Sequence, residues 1–241
     1  MTALIRSELL AVRTLRTTWI LPVALLALVG LIVGASMGDA GKPGTITPDQ
    51  LREPLAITAG IMSAIFVAVF AVIRVGGEYR YETISQRFLA GSRGRVVAAK
   101  LVTFGGLGAV LAALAIGLAL AIAAPMIASK DLTLDYSGGD VVQLVASVLL
   151  GAVLFAALGV AIAVICRSQP VALLVVIGLF PAEKVAGIVL DENASYMPYG
   201  SLQSLLDQGN APPAVGAVVL AATTIACCAV AWVLVRRRDV T

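Results

Sequence analysis

The chain has 241 residues, of which 60% are hydrophobic and only 13% are charged, and its formal net charge is +3. A soluble domain of this length would carry roughly 25% charged residues, whereas runs of about 20 apolar residues match the ~30 Å hydrocarbon core of a bilayer. The sequence has no histidine and its three cysteines form no CxxC pair, so neither a zinc nor a haem site is expected. The composition therefore predicts a polytopic membrane protein.

The first 17 residues precede the first long apolar run and are predicted to form a short amphipathic helix. On a helix Ile5, Leu9 and Val12 share one face, whereas Arg6 lies off it. This pattern is typical of an interfacial helix that lies along the inner leaflet. A helical extension of the first span into the cytoplasm would give the same pattern, and that alternative stays open.

Six apolar runs are long enough to cross a bilayer as helices. They predict transmembrane spans at about 18–37, 55–75, 101–127, 141–165, 171–190 and 213–235. The polar segments between them contain Pro, Gly, Asp and Ser and are predicted to be loops, including 38–54, 129–140 and 191–212. The expected fold is an all-α integral membrane protein, with residues 1–241 forming one transmembrane domain.

Two spans carry unusual residues. Pro181 and the charged pair Glu183-Lys184 interrupt the fifth run, so the chain either continues through a kink or turns back before crossing fully. The first span contains Gly30 and Gly34 in a G-x-x-x-G spacing, which permits close approach of a second helix. That helix could belong to the same chain or to another subunit.

Basic residues are distributed unequally between the two ends of the predicted spans. All but four of the 17 lysines and arginines fall at the end that holds both termini; the four are Lys42, Arg52, Lys130 and Lys184. Since cytoplasmic segments of membrane proteins are enriched in Lys and Arg, both termini are expected in the cytoplasm. Residues 76–100 then form a cytoplasmic loop.

The sequence lacks the motifs of several catalytic classes. No G-x-x-x-x-G-K-[ST] pattern is present to hold nucleotide phosphates, and the nearest approach, Gly41-Lys42, is followed by Pro43. The chain is therefore not expected to be an enzyme or to bind a cofactor itself. Ion-coupled carriers usually place carboxylates within their spans, and Glu183 is the only candidate for that role here.

Short motifs stand in a distinctive order along the chain. They are Arg6-Ser7-Glu8 ahead of the first span, then Glu78-Tyr79-Arg80, Thr83-Ile84, Arg93-x-Arg95 and Ala99-Lys100 between the second and third, and finally Glu183 and Met197-Pro198. In this order they resemble the type-2 permeases of bacterial ATP-binding-cassette (ABC) exporters. Glu82 stands where that family usually has glycine before Thr-Ile.

The resemblance implies a membrane-spanning permease subunit in the bacterial cell membrane that forms the substrate path. A separate cytoplasmic ATPase would bind ATP and Mg and drive it, and a second permease copy, identical or related, would complete the transporter. The implied ATPase-coupling residues are Glu78, Tyr79, Arg80, Glu82, Arg6 and Glu8, and those on the path or subunit interface are Glu183, Gly30 and Gly34. The bilayer is the other expected partner, and no nucleic acid is expected.

Three alternatives remain beside this interpretation. The segment 76–100 could be only a solvated connector whose arginines follow from membrane orientation, although orientation does not explain Glu78 and Glu82. The chain could also be a signalling or assembly subunit that does not pump. It could finally be an ion-coupled carrier that uses Glu183.

Overall fold

The computed structural model describes residues 2–14, 17–39, 55–84, 88, 92–129 and 138–237. Its helices are α1 (Thr2–Thr14), α2 (Thr17–Asp39), α3 (Ser63–Arg80), α4 (Arg93–Ser129), α5 (Gly138–Cys166), α6 (Gln169–Leu190), α7 (Pro198–Leu205) and α8 (Pro213–Arg237). A π-helical segment, Ala56–Met62, leads into α3, and a 3-10 segment, Asp191–Tyr196, joins α6 to α7. The described part of the chain contains no strand.

Six of these helices are long and apolar enough to cross a membrane. They comprise Trp19–Gly38, Ala56–Arg80, Arg93–Met126, Gly138–Cys166, Gln169–Ile188 and Pro213–Arg237. The prediction of an all-helical chain with six apolar spans is therefore confirmed. Six such helices are the architecture of a multi-pass membrane protein.

Two segments predicted as loops are largely helical. The loop expected over 76–100 is shorter, because α3 continues to Arg80 and α4 begins at Arg93. Ala, Arg and Lys are strong helix formers, and they extend α4 ahead of its apolar part. The segment 191–212 holds the 3-10 turn and α7, which has proline at its first position, where no backbone N–H is needed. The predicted loops 38–54 and 129–140 fall largely outside the described residues.

The fifth apolar run does not turn back on itself. Helix α6 continues without a break through Pro181 to Leu190. It is the least buried of the six spanning helices, whereas α3 and α5 are the most buried. These two helices make the most extensive contact of any pair. At Gly159 of α5 an added Cβ would lie 2.6 Å from the carbonyl oxygen of Ala68, so this approach requires glycine.

The antiparallel order of the spans gathers charge at one end of the bundle. The end of α8 meets the start of α4 there, where Nη1 of Arg93 donates a hydrogen bond to the carbonyl of Val235 at 3.4 Å. We call this end of the bundle the basic end. It also holds α1 with Arg6, the turn after Arg80, the junction of α5 and α6 at Arg167, and Arg236. Helix α7 lies toward the opposite end, where its buried Leu202 and Leu205, and Leu206 directly after it, join the core.

Candidate functional site

The largest fully buried side chain in the described residues is a lysine near the basic end. Lys100 lies in α4 within the apolar sequence Val96-Val97-Ala98-Ala99-Lys100-Leu101-Val102 and is 1% exposed. Removing an ammonium group from water costs several kcal/mol unless close anions and hydrogen bonds compensate for it. The position of Lys100 therefore demands partners.

Two carboxylates from two other helices supply those partners. The Lys100 Nζ lies 3.1 Å from Oε1 of Glu8 on α1 and 2.6 Å from Oε1 of Glu78 on α3. The side chains of Glu8 and Glu78 are only 6% and 15% exposed, so both ion pairs are shielded from water. We call Glu8, Glu78 and Lys100 the Lys100 triad; it joins α1, α3 and α4 through one cation.

The triad also fixes which face of α1 is turned inward. Glu8 and Val12 are one helical turn apart and are both buried, whereas Leu9 and Leu10 are about half exposed. The predicted apolar face is thus divided in the structure, because Val12 is buried and Ile5 partly buried whereas Leu9 is exposed. Leu9 and Leu10 instead point away from the bundle, where an interfacial helix would need apolar side chains.

The triad carries one more negative charge than positive. Oε2 of Glu78 is buried and has no hydrogen-bond partner among the described residues. Buried ion pairs depend on good geometry, and removing one partner leaves an uncompensated charge.

The other predicted coupling residues lie around the triad on the surface. Arg6 and Arg80 are exposed, and the Arg80 guanidinium carbon lies 5.6 Å from the centre of the Tyr81 ring. Glu82 is exposed with φ at 56°, in the left-handed region that favours glycine. Tyr79 differs from these, because its side chain is partly buried and packs against the core.

Glu183 has a structural role that the sequence did not reveal. It is 7% exposed, and its Oε2 accepts hydrogen bonds from the backbone N–H groups of Tyr199 at 2.8 Å and Gly200 at 3.2 Å. Helix α7 begins after Met197, which offers no side-chain cap, so Glu183 of α6 caps it from outside. Its placement on a substrate path or a subunit interface stays a prediction.

The two glycines of α2 make no close helix contact within the described chain. A Cβ added at Gly30 would meet only the side chains of Ile122 and Leu118, at ordinary distances of 3.8 and 3.9 Å, and one at Gly34 would meet nothing within 4 Å. A subunit contact at Gly30 and Gly34 therefore stays a prediction. Among the described residues, no group of three His, Cys, Asp or Glu side chains could hold a metal ion.

Sequence reasoning missed two of the residues that organise these sites. The loop predicted over 76–100 includes Lys100, although a lysine inside an apolar run is itself a signal that a charge is buried. Tyr199 gave no signal, because its backbone reaches Glu183 only through the fold of the 3-10 segment.

Comparison with protein-family models gives no match for this chain, and comparison with curated protein sequences gives none either.

Replacing Lys100 with methionine tests the triad. The Lys100→Met variant keeps the bulk of the side chain but removes the ammonium group that Glu8 and Glu78 share. Loss of one partner of a buried pair typically costs ~3–5 kcal/mol, so a clear fall in the unfolding temperature of the purified chain in detergent is expected. The matched control is Arg95→Met, which removes an exposed cation from the same helix and should change stability by less than about 0.5 kcal/mol. Equal stability of the two variants would contradict the assignment.

Proposed function

We propose that this chain is the membrane-spanning permease subunit of a bacterial ABC exporter, paired with a second copy and driven by a separate cytoplasmic ATPase. Six apolar helices and the order of the motifs support this proposal. The observation that carries it is the Lys100 triad, which ties a short helix outside the six spans to two helices that cross the membrane.

The triad offers a route by which a partner could move the spans. An ATPase docked at the basic end would contact exposed charges such as Arg6, Arg80 and Glu82. Charge pairs across such an interface mainly set its register and specificity. Displacement of α1 would act through Lys100 on both α3 and α4, and rigid helices that shift against packed neighbours are a common form of switching. The substrate would then pass between the two permease copies.

The proposal requires the basic end to face the cytoplasm. Two exposed serines are suitable sites for single cysteines: Ser92 lies at the basic end, and Ser129 lies at the far end of α4. In a background without Cys166, Cys227 and Cys228, an impermeant thiol reagent added to intact cells should label Ser129→Cys and spare Ser92→Cys. The reverse pattern would overturn the orientation that the distribution of basic residues predicts.

The coupling role makes a separate prediction about exposed charges. Arg80→Ala and Glu82→Ala should each weaken the complex with the ATPase roughly tenfold, since a contacted charge at an interface contributes about 1–2 kcal/mol. The measurement is the yield of an ATPase that co-purifies with the chain from membranes of its host, together with its vanadate-sensitive ATP hydrolysis. Because Arg80 is exposed, Arg80→Ala should not lower the unfolding temperature.

Arg95→Ala is the matched control, because Arg95 is also an exposed arginine at the basic end. Glu78→Ala should differ from all three variants, since it also removes a partner of Lys100 and should lower stability. If Arg80→Ala and Glu82→Ala retain full yield and hydrolysis, the surface around the triad is only a solvated connector.

A carrier driven by an ion gradient is the second candidate, because Glu183 is a buried carboxylate within a spanning helix. The two mechanisms differ in their source of energy. Under the proposed function, transport into inside-out vesicles requires ATP, is blocked by vanadate and survives collapse of the ion gradients. Transport that needs a gradient but no ATP would favour the carrier.

A further inference from the structure

A cavity of about 350 Å³ lies near the end of the bundle opposite the triad, between α6, the 3-10 segment and α7. Its wall includes Phe180, Glu183, Lys184, Ser195, Tyr199 and Gln203. The volume falls within the range of roughly 300–1,000 Å³ that is typical of small-molecule sites. The wall combines aromatic rings, amides and one buried carboxylate.

Two buried oxygen atoms of residues in this wall lack partners among the described residues. Oε2 of Glu183 is occupied by the backbone of α7, but Oε1 has no hydrogen-bond donor. The Tyr199 hydroxyl, on a side chain that is 4% exposed, also has no partner. Native structures rarely leave a buried polar atom unpaired, so the Glu183 oxygen requires a hydrogen-bond donor, and the Tyr199 hydroxyl could pair with a donor or an acceptor.

The chemistry of the wall selects the kind of donor. The rings of Phe180 and Tyr199 lie 4.6 Å apart between centroids at an angle of 51°. Aromatic faces beside a carboxylate attract ammonium groups. A carboxylate disfavours an anion, and a calcium ion would need six or more oxygen ligands. The Lys184 ammonium already lies 5.8 Å from the Phe180 ring, which makes this exposed cation a rival for the same wall.

The short helix behind the cavity is firmly positioned. The Ser201 hydroxyl donates a hydrogen bond to the carbonyl of Ser195 at 3.0 Å. A Cβ at Gly200 would collide with the carbonyl oxygen of Ala194, so the two segments approach each other only because residue 200 is glycine. A rigid wall reduces the entropy lost when a ligand binds.

We propose that this cavity binds an organic ammonium ion. Its N–H groups would donate hydrogen bonds to Oε1 of Glu183 and to the Tyr199 hydroxyl oxygen, and its apolar part would pack on Phe180. Small side-chain rotations would bring the two shielded oxygens to the ligand. This inference goes beyond the proposed function and does not depend on an ATPase partner. If the chain is an exporter, the same site would recognise cationic substrates.

The test measures binding to the purified full chain in detergent by titration calorimetry. The probe is 2-phenylethylammonium, and its matched control is the neutral 2-phenylethanol. The wild type should bind the ammonium probe saturably and the alcohol at least about tenfold more weakly. Glu183→Gln should weaken binding of the ammonium probe by about tenfold or more, because a charge-assisted hydrogen bond is lost. Lys184→Gln should strengthen binding severalfold, since the rival cation is gone.

Glutamine at position 183 retains an oxygen for the backbone of α7, so the Glu183→Gln chain should still fold, and its unfolding temperature checks this. If that variant does not fold, two other variants test the proposal. Tyr199→Phe should bind the ammonium probe more weakly than the wild type, and Lys184→Gln should bind it more strongly. The proposal is overturned if the wild type shows no saturable binding or if the alcohol binds as well as the ammonium ion. It is also overturned if the folded variants bind the probe with wild-type affinity.

Discussion

A lysine ammonium withdrawn from water and shared between two carboxylates fixes how α1 meets the rest of the bundle. Helix α1 packs mainly on α4, and Glu8 and Val12 are its buried side chains among the described residues, while Leu9 and Leu10 face outward. Its orientation therefore depends on a buried ion pair as well as on apolar burial. Loss of that ion pair would weaken the attachment of α1, because a buried charge would be left uncompensated.

The two ends of the bundle satisfy their buried acids by different means. Glu78 pairs with a cation from a neighbouring helix, so its environment can change if that helix moves. Glu183 accepts backbone N–H groups at the start of α7, which leaves one buried carboxylate oxygen without a hydrogen-bond partner among the described residues. The first arrangement is suited to transmitting movement from a partner, and the second is suited to holding a small cationic ligand. Under the proposed function, energy enters at one end and substrate is recognised near the other.

The sequence predicted the six spanning helices because hydrophobic length alone determines them. It failed at both ends of the segment 76–100, where helix propensity and continuing backbone hydrogen bonds extend α3 and α4 into charged sequence. Glu8, Glu78 and Glu183 could be singled out as unusual acids. Their partners could not be predicted, since Lys100 is 92 residues from Glu8 in the chain and the Glu183 cap depends on how the 3-10 segment folds.

The most direct measurement of the central interaction is a charge exchange within the triad. Combining Glu8→Lys with Lys100→Glu restores one ammonium and two carboxylates but moves the ammonium from α4 to α1. Each single change should cost ~3–5 kcal/mol, because it buries like charges together. We expect the double variant to lose about 2–3 kcal/mol less than the summed losses of the two single variants, measured as free energies of unfolding in detergent. If the double variant is as unstable as that sum, Glu8 and Lys100 do not interact, and α1 is not joined to the spans through the triad.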